Sequence, residues 1–178
     1  MTMAEALLDL AEELAGGDIG GSSGDKTRRA VVRRRAISTA YYAVFHALTR
    51  LCAKELVAGS PPGSQEYEIV YRALNHGSLK EAFNKEPLRS NPALKEIGNR
   101  VIELQTARNL ADYLPIGRFN RIRAADEKIR GDDGKMRPPS ISCRKLVQAA
   151  RSTLKLIADL SSDDRRTLAV YLILKSRT

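Results

Sequence analysis

Apolar positions recur at steps of three and four residues through most of the chain, the spacing with which an α-helix buries one face. In the stretch 25–57, Ile37, Tyr41, Val44, Leu48 and Leu51 fall on one stripe, with Phe45 and Cys52 beside it. No Gly or Pro interrupts this stretch and Asp25 is a suitable N-cap, so the pattern predicts one long helix with that stripe as its core face. The opposite side carries Arg35, Thr39, Tyr42, His46 and Arg50 at steps of four, three, four and four. Such a face reads either as solvated surface or as a surface for a polar partner.

The same spacing predicts the other elements. Thr2 and Glu5 have capping-box spacing, and Met3, Leu7, Leu10 and Leu14 share a face, giving a short helix over residues 2–15. A Gly- and Ser-rich connector, 16–27, separates it from the long helix. After Pro61, Pro62 and Gly63, Ser64 is placed to cap a third helix carrying Ile69, Val70, Ala73 and Leu74. His76 falls at a junction, and Ser78 with Glu81 forms a second capping box in front of a short segment. Asn91 followed by Pro92 starts a helix running to about residue 114. Its stripe of Leu94, Ile97, Val101 and Leu104 continues onto Arg108, Ala111 and Asp112, so a cation and a carboxylate face the packed side. Buried charges of this kind need fixed partners or a polar cleft, and they read either as a structural tie or as an anion or RNA-phosphate site. Periodicity then stops across a basic loop, 115–140, with room for one helical turn near 124–129. Ser142 is placed to cap a further helix with Leu146, Ala150, Leu154, Ile157 and Leu160 inward, and an apolar terminal segment runs from Leu168 to Leu174.

Composition agrees with packed helices. In 178 residues, 43% are apolar and only 5% aromatic, without Trp, which favours an all-α chain forming one domain over 1–178. No run approaches a membrane span and the N-terminal stretch is acidic and amphipathic, so no membrane association and a cytoplasmic location are expected. Charge adds something the pattern does not show. Thirty Lys and Arg against twenty-one Asp and Glu leave a formal charge of +9, which favours a polyanionic partner. The cations cluster twice: Lys26, Arg28, Arg29, Arg33, Arg34 and Arg35 open the long helix, and Arg118, Arg121, Arg123, Lys128, Arg130, Lys135 and Arg137 occupy the loop. Positive charge at a helix start opposes the helix dipole and calls for an external counter-charge.

No phosphate-binding glycine loop or serine-hydrolase motif is present, and neither the two histidines nor Cys52 and Cys143 have metal-ligand spacing, so no metal or cofactor is expected. The groups left for chemistry are His46, His76, Arg108, Asp112 and several tyrosines. Such groups suit metal-free RNA cleavage, with a base on the 2′-hydroxyl and a cation on the phosphate. Arg108 and Asp112, facing inward, are also the groups that Tyr42 and His46 are expected to meet.

Four segments in order, RRAISTAYYAVFHALTRLCA, NHGSLKEAF, LQTARNLADYL and a closing helix ending VYLILKSRT, resemble the HEPN superfamily, specifically small stand-alone bacterial members of its UPF0332-like group. The most specific parts are residues 40–47 and 108–113. The resemblance implies an up-and-down bundle of about five main helices, a four-helix core plus a terminal helix, that forms a homodimer and binds RNA or nucleotides. It also implies a nucleotidyltransferase-like antitoxin as partner and, in the active branch, metal-independent endoribonuclease activity. In that branch an Arg and a polar residue are followed, after four to six residues, by a His. Arg108 and Asn109 match its beginning, whereas positions 113 to 115 are Tyr113, Leu114 and Pro115. With the spacing and charge readings above, Arg108, His46, Asp112 and His76 are the candidate catalytic residues. Arg35, Tyr42, Arg50, Asn109, Tyr113, Arg118 and Arg121 are the candidate RNA contacts. A non-catalytic dimerisation or interaction module is the alternative.

Overall fold

A computed structural model describes residues 1–16, 26–115 and 139–174. These form an all-α helical bundle with no strand among the described residues. Seven helices are described: α1 (Met3–Gly16), α2 (Lys26–Leu56), α3 (Gln65–Ala73), α4 (Leu79–Phe83), α5 (Pro92–Tyr113), α6 (Pro139–Ala158) and α7 (Ser162–Ile173). Asp25, most of the Gly-rich connector, and the basic loop with its helical turn, Arg118 and Arg121 lie outside the described residues. No helix among the described residues is long and apolar enough to cross a membrane.

Short-range chemistry sets most of the helix starts. Thr2 and Glu5 form the reciprocal capping box, with Glu5 N–H donating to Thr2 Oγ1 at 3.2 Å and Thr2 N–H to Glu5 Oε2 at 2.6 Å. Ser64 accepts from Tyr67 N–H to open α3. Asn91 Oδ1 accepts from Ala93 and Leu94 N–H at 3.0 and 3.1 Å, leaving Pro92 where its missing N–H costs nothing. Two expected starts differ. The Ser78 backbone is already helical and its hydroxyl donates instead to Asn75 O at 3.0 Å, so no side-chain cap opens α4. And α6 begins at Pro139, with Ser142 inside it; a proline is tolerated in a first helical turn.

The chain divides into two compact units, Met1–Ala43 with Leu104–Arg151, and Val44–Glu103 with Ser152–Thr178. Helices α2, α5 and α6 each contribute to both. In the first unit α1 buries Ala4, Leu8 and Ala11 rather than the expected stripe; Met3 and Leu10 are 61% and 44% exposed. Alanines allow close backbone approach, so packing selects the small-residue face over the more hydrophobic one. Arg151 of α6 pairs with Glu12 through Nε and NH2 and reaches Asp9 Oδ1 at 3.5 Å, while Arg144 Nε donates to Ala15 O at 3.2 Å. These groups are largely exposed, so they orient α1 more than they stabilise it. Ala30, Ala36, Ile37, Ala40, Tyr41 and Ala43 of α2 are all buried here.

In the second unit the expected α2 stripe continues buried through Val44, Phe45, Leu48, Leu51 and Cys52. Helix α3 departs from expectation: Tyr67 and Leu74 are buried but Ile69 is 61% exposed. Gly98 of α5 permits a close approach to α4, because a Cβ there would sit 2.6 Å from Phe83 Cδ1. Of the stripe predicted for α6, Ala150 and Ile157 are buried, as is Leu160 just beyond its end, whereas Leu146 and Leu154 are half-buried and Cys143, Val147 and Thr153 are buried in their place. Helix α7 packs on α4 and buries Leu168, Ala169, Leu172 and Ile173.

Candidate functional site

In the first unit α2 and α5 bring together residues far apart in sequence. The inward stripe of α5 carries Arg108 and Asp112 one helical turn apart, and α2 presents Ser38 and Tyr42, also four residues apart, opposite them. Arg108 NH2 donates to Tyr42 Oη at 2.8 Å, NH1 donates to Asn109 Oδ1 at 3.1 Å, and Nε lies 2.8 Å from Asp112 Oδ2. That last N–H is buried and poorly aimed at its oxygen, so the contact is an ion pair without hydrogen-bond geometry. Rings flank the guanidinium, whose central carbon lies 5.4 Å from the Tyr42 centroid and 5.3 Å from that of Tyr113. Tyr113 itself is 72% exposed. Ser38, almost fully buried, donates to Asp112 Oδ2 at 3.2 Å.

These contacts set the electrostatics. Burial works against the charge on Arg108, but the Tyr42 hydrogen bond and the neighbouring Asp112 carboxylate outweigh it and raise the guanidinium further above its ordinary value. The arginine is a fixed cation. Burial also pushes the adjacent Tyr41 hydroxyl well above its usual range, so it stays protonated. Next to this group lies an open groove of about 630 Å³, lined among the described residues by Val31, Arg34, Arg35, Ala111, Asp112, Leu114 and Pro115. Arg35 thus stands at the groove together with Asp112.

The two histidines and Arg50 belong to the second unit. His46 Nδ1 lies 2.7 Å from Tyr71 Oη, and burial pulls the imidazole below its ordinary value, favouring the neutral ring. The His46, Tyr71 and Tyr67 rings lie near parallel with centroids 5.9 Å apart at each step. His76 stacks on Phe45 at 3.7 Å. Burial raises the Tyr67 hydroxyl, and the Arg50 charge acts against that rise. Of the two α2 residues expected to meet Arg108 and Asp112, Tyr42 does so and His46 turns to Tyr71 instead.

Comparison with protein-family models, curated proteins and solved structures finds no match. Chemistry alone therefore distinguishes the two groups. The Arg108 group of the first unit offers fixed positive charge, the Asp112 carboxylate and an adjoining open groove. The second offers a neutral imidazole and phenol held by stacking. Among the described residues no three His, Cys, Asp or Glu converge as a metal-binding group. Sequence reasoning missed Ser38 and Tyr71. Ser38 precedes Tyr42 by one turn, as Arg108 precedes Asp112, a signal available once the two helices are paired; Tyr71 sits four residues after buried Tyr67 on the same face of α3.

Proposed function

We propose that the protein binds RNA or nucleotides through the groove of the first unit and does so without cleaving them. The observation that carries this reading is the groove itself, where Arg34 and Arg35 share a lining with Asp112 and with the apolar Val31, Leu114 and Pro115. Cations for phosphate beside apolar surface for a base or sugar suit a single nucleotide unit, and the volume is that of a small-ligand site. Binding without chemistry is favoured because the arginine is engaged by Tyr42, Asn109 and Asp112, while both histidines have partners in the second unit. The HEPN resemblance carries the same binding reading, together with a homodimer and a nucleotidyltransferase-like partner.

Fluorescence anisotropy with a labelled single-stranded RNA tests it. Two cations at about 0.7 each give a slope of about −1.4 for log affinity against log salt, and Arg35→Ala lowers this to about −0.7. A flat salt response, or unchanged affinity in both Arg34→Ala and Arg35→Ala, overturns the reading. Incubation with RNA in EDTA leaves the strand intact; cleavage that disappears in Arg108→Ala assigns the protein to the ribonucleases instead.

A further inference from the structure

The two oxygens of Asp112 are not equivalent. Oδ2 accepts from Ser38 at 3.2 Å and lies 2.8 Å from Arg108 Nε as an ion pair, so this oxygen is turned toward the packed side. No described donor reaches Oδ1, which is not fully buried, and the Asp112 side chain, 23% exposed, lines the groove. Ser38 is 3% exposed, and its hydrogen bond holds Oδ2 on the packed side, leaving Oδ1 on the groove side.

We infer that Asp112 makes the groove selective for guanine, an inference that rests on the nucleotide-binding reading of the same groove. An anionic oxygen facing the hydrogen-bonding edge of a base needs donors without an adjacent acceptor. Guanine alone presents neighbouring N1–H and N2–H₂ donors; the amino groups of adenine and cytosine adjoin a ring-nitrogen acceptor, and uracil N3–H lies between two carbonyls. Oδ1 accepts the two neighbouring guanine donors as a shared, bifurcated contact, Val31 and Leu114 supply apolar contact, and Arg34 and Arg35 supply charge for the phosphate.

The test is displacement of labelled single-stranded RNA from the full chain by guanosine, adenosine, cytidine, uridine and inosine 5′-monophosphates. Guanosine monophosphate binds about tenfold more tightly than the adenosine, cytidine and uridine nucleotides. Inosine monophosphate, which keeps N1–H and lacks the 2-amino group, binds severalfold more weakly than guanosine monophosphate and requires no variant. Asp112→Asn gives a sharper result. Ser38 and Arg108 are donors, so they retain the amide oxygen inward and turn the amide NH₂ into the groove, which removes the guanine preference and favours bases offering an acceptor. Equal affinity for all the nucleotides in the wild type, no displacement by any of them, or a guanine preference retained in a folded Asp112→Asn protein overturns the inference. If salt-dependent RNA binding through Arg35 persists in those cases, the nucleic-acid reading stands and only base selection fails; if RNA binding is also absent, both fail.

Discussion

Tyr42→Phe removes one oxygen and little else, which makes it a clean probe of what holds Arg108. The lost group is the acceptor for Arg108 NH2 at 2.8 Å. Hydrogen bonds to charged groups contribute about 1.5–3 kcal/mol, and because the Arg108 side chain is 17% exposed, water replaces part of the loss; the lower end, about 1.5 kcal/mol, applies. At about 2–4 °C per kcal/mol for a chain of this size, the melting temperature falls by roughly 3–6 °C. Urea unfolding followed by far-UV circular dichroism supplies the free energies, and a double-mutant cycle with Arg108→Gln isolates the pair. The cycle returns a coupling of about 1 kcal/mol or more. A coupling within about 0.3 kcal/mol of zero refutes the idea that Tyr42 anchors the guanidinium, since distant, independent sites add to that accuracy.

Gly98→Ala drives a methyl group to within 2.6–2.9 Å of Phe83 Cδ1, Cγ and Cβ and destabilises the protein by about 1–3 kcal/mol; an unchanged urea midpoint contradicts the close approach. Burial lowers the His46 pKa from 6.5, so the folded state binds its proton less readily than the unfolded chain. Stability from this group is complete above about pH 6.5 and is lost as pH falls through the lowered folded value, whereas His46→Gln shows a flatter profile. Urea midpoints across that window check the sign, and a wild type that gains stability on acidification relative to the variant disproves it. Burial pushes the Cys52 thiol up to about 12, and Cys143 is 1% exposed, so Ellman's reagent labels neither thiol of the native protein quickly and both after denaturation. Fast labelling in buffer contradicts the burial of both.

Long helices with large apolar residues at regular spacing were legible in the sequence. Ile37, Tyr41, Val44 and Leu48 of α2 and Leu94, Ile97, Val101 and Leu104 of α5 all lie buried where spacing puts them. What spacing cannot weigh is closeness of approach. Helix α1 has one leucine-rich face and one alanine-rich face, and the second is buried because small residues let it pack tightly. Side-chain caps show a similar limit: Ser78 has the capping-box spacing, yet its own backbone torsions send the hydroxyl back to Asn75. For the candidate site, the inward Arg108 and Asp112 followed from periodicity, and Tyr42 opposite them was a reasonable guess. The partnership of His46 with Tyr71 depends on how α3 is set against α2, a relation that no pattern within either helix encodes.

The Ser38–Asp112 and Tyr42–Arg108 contacts join positions 74 and 66 residues apart. Neither helix alone contains the group, and closing chain segments of that length is entropically unfavourable until the contacts form. Helix formation in isolated segments therefore does not create the groove; it arises with the tertiary fold. A ligand that requires the groove binds the folded chain and not the unfolded one, and at a hundredfold excess over its Kd it adds about 2.7 kcal/mol to the stability. Nucleotides that occupy it thus announce themselves by raising the melting temperature, which makes a thermal-shift screen a route to the natural ligand.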